Sequence, residues 1–245
     1  MSVAGALPRG VEGWLTEEQA VMLASAAAAC PANGVIVEIG SFRGLSTIVL
    51  ATHAPEGADV VAIDPHAGND RGPRELEGYA ADAAADRRAF ERNLTAAGLR
   101  DRIRHVSARS ADAHDDVSAQ IDVLYIDGAH RYRPARADIR EWGGRVTPDG
   151  TLLIHDAFSS VGVTAAIVRE LVVGRRFRYV GRSRSLAHYR ADLGGAGLAA
   201  RARNSGAQLA QLGWFARNIA VKVLLTLGVG RVLLRLGRTV PEWPY

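Results

Sequence analysis

At 245 residues, with 48% hydrophobic and 23% charged residues, the chain can bury a core as one domain plus a small appendage, in the balance of a soluble globular protein. The lone cysteine, Cys30, excludes an intramolecular disulfide, and MSVAGALPRGVEGW lacks the basic segment and apolar run of a secretory signal, so a cytoplasmic location is expected. Residues 196–245 carry seven basic residues and one acid, net +6 against +4 for the whole chain, so the main body loses its electrostatic motive for nucleic acid and no such partner is expected.

The first predicted element is a helix from Thr16 to about Cys30, because Thr16-Glu-Glu-Gln19 has capping-box spacing. GVIVEIG reads as a strand. SFRG then leads into a helix from about Leu45 to Ala54, and ADVVAID is the second strand. Pro65 to about Asp82 lacks periodicity and holds several Gly and Pro residues, so a loop or lid is expected there. A helix over about 83–97 follows. Strands are expected at Arg102–Val106 and Ile121–Asp127, then a helix from Pro134 to about Arg145 and a strand at Thr151–His155. After a helix at Val161–Val173, RFRYVGR and SLAHYR alternate like a closing hairpin.

Strands alternating with helices predict an α/β fold. The expected architecture is a Rossmann-like, doubly wound, mostly parallel seven-stranded sheet with an antiparallel edge hairpin and a C-terminal helical tail. Residues 1–32 form an N-terminal helical segment, 33–190 the main domain and 191–245 the tail. Residues 191–207 read as a linker or loose helix. Residues 208–236 read as an apolar helix whose longest uncharged stretch, Val223–Gly230, is too short to span a membrane.

Ligands of open α/β sheets bind outside the carboxyl ends of the strands. Glu38-Ile-Gly40-Ser41-Phe-Arg-Gly44 lies at one such end. Its E-x-G-x-x-x-G pattern differs from the dinucleotide G-x-G-x-x-G, and the acid would repel a pyrophosphate but could accept from an amino group. That makes a nicotinamide-dependent oxidoreductase the weaker reading. Asp64 ends the second strand, where a carboxylate can accept from both hydroxyls of a ribose. Asp127, His130, His155 and Asp156 end two further strands, a set that can hold a divalent cation and move a proton.

VEIGSFRGLST, AIDPH, YIDGAH and LLIHD together resemble the class I S-adenosylmethionine-dependent methyltransferases. More narrowly, they resemble the metal-dependent O-methyltransferases of macrolide and glycolipid sugars, with catechol O-methyltransferases more distant. The resemblance covers about residues 33–190 and implies an adenosylmethionine site. Glu38 and Gly40 would face the amino-acid part, with Ser41 and Gly44 in the same loop. Ser46 would hold the carboxylate, Asp64 the ribose, and Ser110 would line the adenine. Ser46 and Ser110 could equally be helix-start caps.

The resemblance also implies a divalent cation, Mg²⁺ or Mn²⁺, on Asp127 and the pair His155-Asp156, with His130 as general base. His155 departs from the family, which places an acid there. Imidazole suits softer metals, so the position is open to another metal or to no metal contact. The plain alternative for His130 is a helix cap or a solvent-facing ring. His66, His105, His114 and His188 have no such context and read as structural or surface residues.

The expected function is thus methyl transfer to a hydroxyl of a sugar, glycolipid or secondary metabolite, with loops 66–82 and 157–162 shaping the acceptor pocket. The competing functions are a metal-free methyltransferase of the same fold and a non-catalytic adenosylmethionine-binding module. On one continuous helix, Arg217, Arg231, Arg235 and Arg238 would cluster beside apolar residues such as Leu224, Leu225 and Val232. That predicts peripheral docking at the inner membrane face, against a packing or dimer role for residues 208–238.

Overall fold

The structure is a computed structural model and describes residues 5–68, 80–117, 119–228 and 239. In chain order the elements are α1 (Glu17–Ala28), β1 (Val35–Ile39), α2 (Leu45–His53), β2 (Asp59–Ile63), α3 (Ala80–Ala96) and β3 (Ile103–Val106). Then come β4 (Ile121–Ile126), α4 (Tyr132–Glu141), β5 (Val146–Ile154), α5 (Val161–Ile167), β6 (Arg178–Ser183), β7 (Leu186–Arg190), α6 (Leu198–Leu209) and α7 (Leu212–Thr226).

The strands form one seven-stranded sheet in the order β3-β2-β1-β4-β5-β7-β6. The first five are parallel, and β7 is antiparallel to both β5 and β6. The order reverses at β1, which opens a crevice between β1 and β4. The parallel strands are apolar on both faces because helices cover both. Ile36, Val60, Val123 and Leu153 pack on the side of α1, α2 and α3. Val37, Val61 and Leu124, one residue on, and Leu152, one residue before, pack on the side of α4 and α5.

Register places the ends of the parallel strands in a row. Ile39 pairs with Ile63 and Ile126, Ile63 with Val106, and Ile126 with Ile154. The residues that follow are therefore neighbours along one edge: Asp64, Gly40, Asp127 and His155. Ladder bonds continue into them, with Gly40 N donating to Ile63 O, Asp127 N to Ile39 O and His155 N to Ile126 O.

The capping box at Thr16 forms as its spacing requires. Several boundaries differ from expectation. α4 begins at Tyr132, before Pro134, since a proline in the first helical turn gives up no hydrogen bond. The helix expected over Val161–Val173 is α-helical only to Ile167 and continues as a wider π turn, Val168–Val172. Of the two readings for 191–207, linker or loose helix, the helix is the one seen, as α6 from Leu198. Its buried Asn204 accepts from Tyr179 N and donates to Phe177 O, and Gln208 donates to Leu171 O. The single helix expected over 208–236 breaks at Ala210, and α7 packs Trp214 and Phe215 on the core. Residues 69–79 of the expected acceptor loop lie outside the described residues, as do Arg231, Val232, Arg235 and Arg238 of the expected basic face. Among the described residues, no helix is long and apolar enough to cross a membrane.

Candidate active site at the carboxyl edge of the sheet

A cleft of about 1260 Å³ opens at the strand ends. Gly40, Ser41, Ser46, Asp64, Ser110, Asp127, His130, His155 and Asp156 all line it. Two glycines set its shape. Gly40 has φ +86, and a Cβ there would meet Asp127 O at 2.3 Å, so the turn after β1 admits only glycine. A Cβ on Gly162 would meet His130 O at 2.2 Å, so this glycine lets α5 approach the loop carrying His130.

At the β1–β2 end, two expectations need correction. Glu38 does not face the cleft. It is fully buried, and accepts from Ser46 Oγ and Thr47 Oγ1, each at 2.5 Å. Burial pushes its carboxyl up to about 8. The acid therefore anchors the first turn of α2 from below. Ser46 does line the cleft, but its proton is committed to Glu38, leaving the first-turn amides of α2 as donors for a carboxylate. Gly44 caps α2 in a left-handed conformation, φ +87, and is not among the lining residues.

Asp64 is tied to the backbone. Oδ2 accepts from Ser41 N at 2.9 Å and Phe42 N at 2.8 Å, and Oδ1 from His66 N at 2.7 Å. A carboxylate offers about four lone-pair sites, so one on Oδ1 remains and the expected double contact to a ribose is reduced to one bond. His66 is buried and lines the cleft, with Nε2 2.8 Å from Phe42 O, so it is not a surface residue. Ser110 Oγ donates to Asp138 Oδ1 at 2.6 Å. Burial raises Asp138 to about 6, and Asp138 also lines the cleft. The sequence reading missed Asp138, because a lone acid on an amphipathic helix looks like a solvated one.

At the β4–β5 end the charged groups converge. His130 Nε2 lies 2.8 Å from Asp156 Oδ2. Asp127 Oδ2 accepts from Tyr125 Oη at 2.9 Å. His155 Nδ1 sits 3.4 Å from Asp127 Oδ1 and 3.6 Å from Asp156 Oδ2. Burial opposes charge on His155, but the two carboxylates outweigh it and push the ring up to about 10. Burial likewise opposes charge on Asp156, and His130 and His155 outweigh it, holding that carboxyl well below the usual range.

Among the described residues, the atoms able to share one ion, all within 4.8 Å of one another, belong to Asp127, His130 and Asp156. His155 is not in that set, which departs from its expected place among the metal ligands. Its ring is buried beside the two carboxylates, with both nitrogens out of hydrogen-bond geometry.

Residues 37–157 match the family model of a methyltransferase domain. That stretch is a methyltransferase domain. Solved structures agree in fold. Cofactor-bound Rv0187 from MTB is 18% identical, with 77% of this chain and 84% of that chain covered at a TM-score of 0.55. The O-methyltransferase NovP is 17% identical over 74% of this chain and 83% of that one, TM-score 0.56. An O-methyltransferase from Bacillus cereus in complex with SAH is 18% identical over 77% and 84%, TM-score 0.50. The matched stretch ends just after Asp156, and α5, β6, β7, α6 and α7 lie beyond it.

Proposed function

We propose that this methyltransferase transfers the methyl group of adenosylmethionine to a hydroxyl of a small acceptor, a sugar, glycolipid or secondary metabolite. The observation that carries the reading is the His130–Asp156 pair, 2.8 Å apart, in the same cleft as Gly40 and Asp64. The tight glycine turn after β1, which lines the cleft, and the remaining lone pair of Asp64 fit the cofactor at the β1–β2 end. Bound there, adenosylmethionine supplies an electrophilic methyl on its sulfonium. The chain's residues supply the rest. Asp156 accepts the Nε2–H of His130 and orients the ring, and His130 removes the acceptor's proton as the hydroxyl attacks. Asp156 then stabilises the imidazolium.

The donor types also fit a divalent cation on Asp127 and Asp156, which would lower the cost of forming an alkoxide. A second, metal-free reading is favoured by His155, whose ring faces both carboxylates and is pushed by them toward the charged form. Chelation separates the two.

The test of the overall reading is calorimetric titration with adenosylhomocysteine, then methyl transfer to a panel of sugars and catechol. Asp64→Ala is expected to weaken adenosylhomocysteine binding by about 1–3 kcal/mol. Unchanged affinity would remove the ribose assignment.

We also propose that α7 docks on an anionic membrane surface. Its outward side exposes Val223, Leu224 and Leu227 beside Arg217, and the sequence beyond holds Arg231, Arg235 and Arg238. Full-length protein should co-sediment with vesicles containing phosphatidylserine and less with neutral ones. The variant V223D/L224D/L227D should stay in the supernatant. Equal sedimentation of both proteins, or of neither, leaves a packing or dimer role.

A further inference from the structure

We propose that helix α7, outside the matched methyltransferase domain, is a working part of the active site. In this reading Asn218 and Lys222 are positioning residues that hold the turn carrying Asp156. The inference rests on the roles of Asp156 and His130 proposed above.

The turn after β5 is unusual. Asp156 and Phe158 both adopt left-handed backbone, φ 54 and φ 55, although neither is glycine. Each such residue is strained and persists only where its surroundings hold it. Within the turn, Ser159 N and Ser160 N donate to Asp156 O. Further anchors come from a helix some sixty residues on. Asn218 Nδ2 donates to Phe158 O at 3.2 Å, and Lys222 Nζ donates to both Ser159 O and Ser159 Oγ at 3.0 Å.

Asn218 and Lys222 are one helical turn apart and share a face. Asn218 is 2% exposed. Ile219 and Lys222 line the cleft with Ser159, so the same face forms part of its wall. Lys222 is the only lysine of the chain. A packing helix would ordinarily leave such a side chain in water. Here its ammonium is turned inward onto the backbone of the strained turn.

The consequence is geometric. The turn sets where the Asp156 carboxylate meets His130. Without its anchors the turn can relax toward ordinary backbone and carry Asp156 off the ring, and displacement of about 1 Å in a catalytic constellation costs roughly 10²-fold in rate. The cofactor end, at β1 and β2, shares none of these contacts.

The experiment uses full-length N218A, K222M and K222R. Amide hydrogen exchange is followed over residues 155–160, adenosylhomocysteine affinity by calorimetry, and rates with the panel sugar or catechol that turns over fastest. In N218A and K222M the turn should exchange faster than in the parent. The kcat should fall about 10–100-fold, with the KM for adenosylmethionine and the adenosylhomocysteine affinity within about 2-fold. K222R should recover most of the rate, since it keeps a cationic donor. Parent-like exchange and kcat in both N218A and K222M would overturn the inference. So would parallel losses of cofactor affinity and kcat, which mark general damage to packing. If the parent methylates nothing in the panel, the proposed function fails, while exchange and calorimetry still decide whether α7 holds the turn.

Discussion

Replacing His130 with alanine is expected to slow methyl transfer about 10²–10⁴-fold, the usual worth of a positioned base. The expectation rests on three features of the site. His130 follows β4 on a short loop, and α5 approaches its carbonyl at Gly162, where any side chain would collide. Its Nε2 lies 2.8 Å from an Asp156 carboxylate held ionised, so Nε2 carries the proton and Nδ1 is the basic nitrogen. The ring is partly buried, its side chain 21% exposed, and can be reached from the cleft. Adenosylhomocysteine affinity should stay near the parent's, because no Asp64 or Gly40 contact involves residue 130. Initial rates near neutral pH with the best panel acceptor check the expectation. A variant within about 3-fold of the parent would show that His130 is only a loop residue, and the base would have to be sought elsewhere in the cleft.

The sheet was legible because its signal is local. Apolar runs of four to seven residues with Gly and Pro between them, alternating with helical stretches, specify parallel strands covered on both faces. The acids and imidazoles at strand ends were legible for the same reason, since register places strand ends side by side. Less legible was what each group does once buried. Glu38 sits in a motif that suggests a ligand contact, but the hydroxyls of Ser46 and Thr47 capture it beneath the surface. Strand alternation puts Glu38 on the face of Ile36, but no local pattern says that an acid there meets the following helix and not a ligand. His155 occupies a ligand's place in the family, and the sequence left its contact with metal open; the structure sets its buried ring against the carboxylates of Asp127 and Asp156, which no local pattern announces. The attachments of α6 and α7 were hidden for a different reason. Their attachments are amide side chains reaching backbone carbonyls far away in sequence, as with Gln208 to Leu171 and Asn218 to Phe158, and hydropathy does not register such bonds.

Asp127 is the residue whose loss should be most complete. Asp127→Ala is expected to lower turnover by at least about 10³-fold, equivalent to about 4 kcal/mol, which is the scale of metal or fixed-charge stabilisation of a developing oxyanion. Alanine would also leave the buried Tyr125 hydroxyl without its acceptor, at a cost of about 1–3 kcal/mol in stability. Asp127→Asn avoids that confusion, because its amide oxygen can still accept from Tyr125 while the charge is lost. If both variants are inactive and Asp127→Asn melts close to the parent, the charge is what matters. The two readings of the cluster then part on chelator treatment of the parent protein. In the metal-assisted reading, dialysis against a chelator should reproduce the loss, and added Mg²⁺ or Mn²⁺ should restore activity to the parent but not to Asp127→Asn. In the metal-free reading, chelator should leave the rate unchanged, while loss of Asp127 leaves the His155 ring with one carboxylate instead of two. That ring would then pull harder on Asp156 and weaken its hold on His130. Chelator-resistant turnover in the parent, with an inactive Asp127→Asn, would therefore identify the internal imidazolium as the group that stands in for a cation in this cleft.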